Sequence, residues 1–129
     1  MDTATSVSGL RAAETRISVS ANNVANINST KKLENGVTTD ELFVPKTVQD
    51  VSVGKTGGVK SVVNPVQPAN FLQTNANVDG DEGSLPFRST VDLAKETTDT
   101  VVAKNAYQAN LIALDVKNKT IEQTLDIIS

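Results

Sequence analysis

Apolar residues recur through the first part of the chain at Val7, Leu10, Ile17, Ala21 and Val24, with Glu14 at the polar interruption of the row. Steps of three, four and seven place these side chains on one side of an α-helix, as in a coiled-coil seam. Asp2 or Thr3 is positioned to cap its start. At the other end, the stretch from Ser89 to Ser129 has neither glycine nor proline. It carries a second row at Leu93, Thr100, Tyr107, Leu111, Leu114, Asn118, Ile121, Leu125 and Ile128. That spacing predicts a single helix of about 38 residues, roughly 57 Å long. Val102, Ala106, Ala109, Ala113 and Val116 form a neighbouring apolar line that widens its face. One N-terminal helix cannot cover so broad a face over such a length, so the pattern predicts contacts with other chains.

Between the two helices the pattern changes. Residues 31–89 hold all four prolines and every glycine except Gly9. The runs "LFVPKTVQDVSV" and "GVKSVV" predict extended strands or a hairpin, separated by turn signals. "VVNPVQPANF" is expected to be extended, because proline biases the residue before it away from the helical region. "NANVDGDEGSLP" reads as an acidic, turn-rich link. The expected fold is mainly α: an N-terminal helix paired in coiled-coil fashion with a long C-terminal helix, with a small β-rich or irregular insertion between them. In residue terms, 1–30 and 90–129 form one discontinuous helical domain and 31–89 the insertion.

Composition narrows the chemistry. The chain of 129 residues has no cysteine and no histidine, which removes thiol chemistry and the commonest metal ligand and general base. A formal charge of -3 without a Lys/Arg cluster gives no footprint for nucleic acid. No run of eighteen apolar residues predicts a membrane span, and the N-terminus lacks the basic-then-apolar pattern of a Sec signal. "VGKTGG" ends like a phosphate-binding loop, but Gln49 stands where the leading glycine belongs, so an ordinary turn is expected. Asn77, Asp79 and Asp81 alternate as in a calcium loop, yet Glu82 replaces the glycine of the sixth place and Arg88 the glutamate of the twelfth. The expectation is a protein without catalytic residues, cofactor or metal.

"ANNVANINST" places Asn22, Asn23, Asn26 and Asn28 where the first helix ends. One reading is a frayed terminus, where asparagine is common as a capping or left-handed residue. The other is a turn that stays helical through Val24 and Ile27 while its amides, which donate and accept together, satisfy the backbone of a neighbouring segment. Composition weighs the two equally.

"SANNVANINST" resembles the N-terminal signature of the bacterial flagellar rod and hook family, in which a helix ends in Asn-Asn-(Ile/Val)-Ala-Asn-x-Asn-(Ser/Thr). "VDLAKETTDTVVAKNAYQANLIALDVKNKTIEQTLDI" resembles that family's C-terminal helix, with its Val-Asp-(Leu/Met)-Ala-x-Glu start, here Asp92 and Glu96, and its Ala-Tyr-(Glu/Gln)-Ala-Asn element, here Tyr107 and Asn110. The short length makes the chain most similar to the proximal rod members. The resemblance implies a non-enzymatic axial subunit, exported by the flagellar type III apparatus without a cleaved signal. It would pack with itself and other rod subunits into a helical assembly in the basal body, and would neither insert into a membrane nor bind nucleic acid. It also implies that Asn22, Asn23 and Asn26 close the first helix and that Tyr107 and Asn110 pin the second. The packing residues expected on this reading are Val7, Leu10, Ile17, Ala21 and Val24 against Tyr107, Leu111, Leu114, Ile121 and Leu125. The alternative is a free-standing helical binding module, such as a type III secretion needle or adaptor protein, with a single partner.

Overall fold

The computed structural model describes residues 3–31, 43–54, 57–66 and 87–128. Helix α1 spans Thr3–Ala25 and helix α2 spans Leu93–Ile128. Strands β2 (Lys46–Ser52) and β3 (Val59–Pro65) form the expected antiparallel hairpin, and two-residue strands β1 (Thr30–Lys31) and β4 (Phe87–Arg88) pair as a short ladder. The architecture is mainly helical, with the hairpin inserted between two antiparallel helices. Asp2 and the acidic stretch containing Asn77, Asp79 and Asp81 lie outside the described residues.

The 36 residues of α2 extend about 54 Å. Its many threonines are poor helix formers, but several bond back onto the helix: Thr97, Thr98, Thr100, Thr120 and Thr124 each donate to the carbonyl four residues earlier at 2.7–2.9 Å. Asp92 caps the start, its Oδ1 accepting the Ala94 and Lys95 amides at 2.9 and 3.1 Å. The "VDLAKE" run is therefore a helix-starting signal as well as a family-like one.

The seam between the helices differs in phase from the apolar rows. Its buried positions are Ser6, Ala13, Ser20 and Asn23 on α1 and Glu96 and Ala103 on α2. Three contacts set the register: Asn23 meets Glu96, Gly9 lies under Asn110, and Thr3 meets Lys117. A methyl group at Gly9 would stand 2.7 Å from the Asn110 amide, so glycine permits the close approach there. Small side chains bring the backbones together, which displaces the larger aliphatic residues to the flanks. Among the described residues the buried apolar side chains are Ala12, Ala13, Ala103 and Pro45.

The hairpin lies along α1. Arg16 Nε and Nη2 reach Asp50 Oδ2 at 2.8 and 2.7 Å, and Ser61 Oγ donates to Asp50 Oδ1 at 2.6 Å. Near the hairpin tip the Val59 amide donates to Ser8 Oγ at 3.1 Å. At Gly58, with φ of +124°, an added methyl group would stand 3.3 Å from Ser8 Oγ. Val53 donates to the Gly58 carbonyl and Val66 to that of Pro45, so the hydrogen-bonded pairs are Thr47 with Asn64, Gln49 with Val62 and Val51 with Lys60. In the alternating antiparallel pattern the backbone groups of Lys46, Val48, Asp50 and Ser52, and of Val59, Ser61 and Val63, point away from the hairpin.

Candidate functional site

The asparagine cluster is where three segments meet. Asn22 and Asn23 belong to the last turn of α1, which closes with a three-residue turn in which the Asn26 amide donates to the Asn23 carbonyl at 3.1 Å. Asn23 is 1% exposed and uses its amide in both senses. Its Oδ1 accepts the Lys46 N–H at 3.0 Å, and its Nδ2 donates to the Lys46 carbonyl at 2.8 Å and to Glu96 Oε1 at 2.9 Å. Lys46 is the first residue of β2, and its outward backbone pair is bonded by the asparagine much as a neighbouring strand would bond it. Hydrogen bonding to the backbone of a neighbouring segment is one of the two readings the sequence left open. The other holds a few residues later, since the helix ends at Ala25 instead of continuing through Ile27.

The remaining members of the cluster have smaller parts. Asn26 Nδ2 donates to the Asn22 carbonyl at 2.8 Å and closes the turn on itself. Asn22 and Asn28 are exposed. Glu96 is buried under Asn23 in the first turn of α2, where a carboxylate also faces the positive end of the helix dipole. Beside it, Lys95 is held above the ordinary lysine value of 10.5, chiefly by its hydrogen bond to Asp99 and, against partial burial, by the charges of Asp99, Glu96 and Asp92. Ser89, next to the β1–β4 ladder, is buried with no partner for its hydroxyl among the described residues.

The expected packing residues fall outside this clasp. Val7, Leu10 and Ile17 are half-buried on α1, whereas Ala21 and Val24 are exposed. On α2, Tyr107, Asn110 and Leu114 face α1 and are half-buried, while Leu111, Ile121 and Leu125 are exposed. Ile121 and Leu125 lie past Lys117, whose partner Thr3 is the first residue of α1, so the two rows do not form one seam inside the chain. The signal that could have located the intrachain seam is the line of small residues Ser6, Gly9, Ala13 and Ser20, spaced by three, four and seven.

The phosphate-binding motif is not supported, and the calcium-loop residues lie outside the described residues. "VGKTGG" joins β2 to β3, and a strand follows where a phosphate-binding loop requires a helix N-terminus. Among the described residues no group of acidic side chains is arranged to hold a metal ion. No helix among them is long and apolar enough to cross a membrane.

The family model described as flagella basal body rod protein matches residues 4–31. The matched stretch is α1 with its asparagine cluster, ending at β1. No curated protein matches the chain. The match supports a structural role in the flagellar basal body rod, and that family is structural instead of enzymatic.

Proposed function

We propose that this chain is a subunit of the bacterial flagellar rod, of the proximal kind known as FlgC, which polymerises through its two terminal helices into the torque-transmitting axis. The observation that carries this reading is the division of labour on α1, the segment similar to the rod family. The helix buries small and polar residues against its own chain and leaves an apolar row, from Leu10 to Val24, partly or fully exposed. On α2 the apolar flanks are barer still, with Leu111, Ile112 and Val116 between 49 and 64% exposed. Two helices clasped at one end and apolar along their flanks suit head-to-tail association, which generates open helical assemblies instead of closed rings.

On this reading the chain leaves the cell interior through the flagellar type III apparatus and resides in the basal body between the membranes. Its partners are further copies and related rod subunits. The test is incorporation. Leu111→Asp, at an exposed position, should leave expression and export unchanged but exclude the protein from purified basal bodies and abolish swimming. Normal incorporation of that variant would overturn the packing proposal. A monodisperse chain binding one defined partner at one-to-one stoichiometry would overturn the rod assignment itself.

A further inference from the structure

The outer edge of β3 is an incomplete sheet edge with an unusual boundary. Of its outward-pointing residues, Val59 has its N–H bonded to Ser8, and Pro65 has no N–H to offer. Between them Ser61 and Val63 each present a free backbone donor and acceptor among the described residues, spaced symmetrically about Val62. Beneath this edge α1 forms a shelf with a groove at each end. One, of ≈ 520 Å³, includes Glu14 and Val63, and the other, of ≈ 400 Å³, includes Arg11 and Val59.

We propose that two copies of the free chain pair antiparallel along β3 about a two-fold axis at Val62, giving a four-stranded sheet. The edge is self-complementary. Ser61 of each copy then opposes Val63 of the other, so that four backbone bonds form. The ladder ends at Lys60 and Asn64, because Ser8 already occupies the outward side of Val59 and Pro65 offers no N–H to extend it. Lys60 opposes Asn64 instead of another lysine, so no like-charge pair arises on the outer face. The same two-fold lays the groove containing Glu14 and Lys46 over the groove containing Arg11 and Lys60, twice, so that each Glu14 carboxylate faces a cationic groove. The exposed side chain of Val62 meets its own copy.

This proposal stands apart from the rod reading. A two-fold pair points its chains in opposite directions, whereas head-to-tail growth keeps them aligned. The pair therefore belongs to the chain before assembly and must open for a subunit to be added.

The absence of cysteine makes the test direct. Val62 and its copy form a non-hydrogen-bonded pair with Cα atoms about 4.5 Å apart, within disulfide reach. Val62→Cys should give a covalent dimer under mild oxidation, and Val51→Cys, exposed on β2, should remain monomeric. Ser61→Pro removes one outward donor per copy and keeps the backbone ladder to β2, losing only the side-chain bond to Asp50. It should weaken dimerisation roughly 30-fold in sedimentation of the otherwise unmodified chain. Equal crosslinking at positions 62 and 51 would overturn the proposal. So would dimerisation unaffected by Ser61→Pro in a variant whose hairpin amides keep their exchange protection.

Discussion

The two ends of the helix pair are built on opposite principles. At the clasped end, Asn23 ties α1 to the Lys46 backbone and to Glu96, Asp92 caps α2, and the β1–β4 ladder draws the connecting chains together. At the open end, the bond from Lys117 Nζ to Thr3 Oγ1 is exposed, and α2 runs on with Ile121, Leu125 and Ile127 in solvent. The first end spends its chemistry on the chain's own geometry; the second leaves apolar surface for contacts from outside. A protein that must hold one shape and still polymerise can separate the two tasks along a helix, instead of mixing them in one face.

The comparison can be broken most directly at Asn23. Asn23→Leu keeps the approximate volume but strands the Lys46 N–H, its carbonyl and the Glu96 carboxylate. It should destabilise the clasped end by about 3 kcal/mol, read by urea unfolding and by loss of amide protection at residues 46–48. If protection there is unchanged, the clasp does not organise the hairpin. In a rod-assembly assay Asn23→Ala should also be more damaging than Asn77→Ala.

Gly9→Leu drives a large side chain into the Asn110 amide and should cost about 2 kcal/mol by overpacking, with partial recovery when Asn110→Ala makes room. No recovery in the double variant would place the damage elsewhere. Asp92→Ala removes the cap and should lower stability by about 1 kcal/mol. Thermal unfolding is the readout.

Alkaline titration sharpens the comparison with a smaller effect. Because Lys95 is held above its ordinary value, the stability it contributes is complete below 10.5 and is lost as pH rises through its own higher value. Its exposed pair with Asp99 contributes no more than a few tenths of a kcal/mol. Lys95→Met should remove that alkaline component, and an unchanged pH profile would refute the pairing. The smallest stability effect belongs to the open end: Ile127→Asp should leave unfolding within about 0.5 kcal/mol of the parent. A larger loss would mean that this end is supported from within the chain.

Much of the fold was legible in the sequence. Periodicity located both helices, and β-type runs around "GKTGG" located the hairpin, because each signal is local. The seam was not, since hydrophobic periodicity follows the largest apolar side chains, whereas these helices meet through Gly9, Ala13 and Ser20. The role of Asn23 was only half visible. Its amide chemistry suggested backbone bonding, but its partners lie 23 and 73 residues away, and no spacing rule connects them. The β1–β4 ladder, two residues on each side, is too short to leave a pattern at all.

That ladder has an evolutionary consequence. The chain leaves α1 and returns to α2 through one narrow doorway, which fixes the entry and exit of the insertion side by side. The fold thus offers a socket at which insertions of very different size could be grafted while the helical shaft keeps its register.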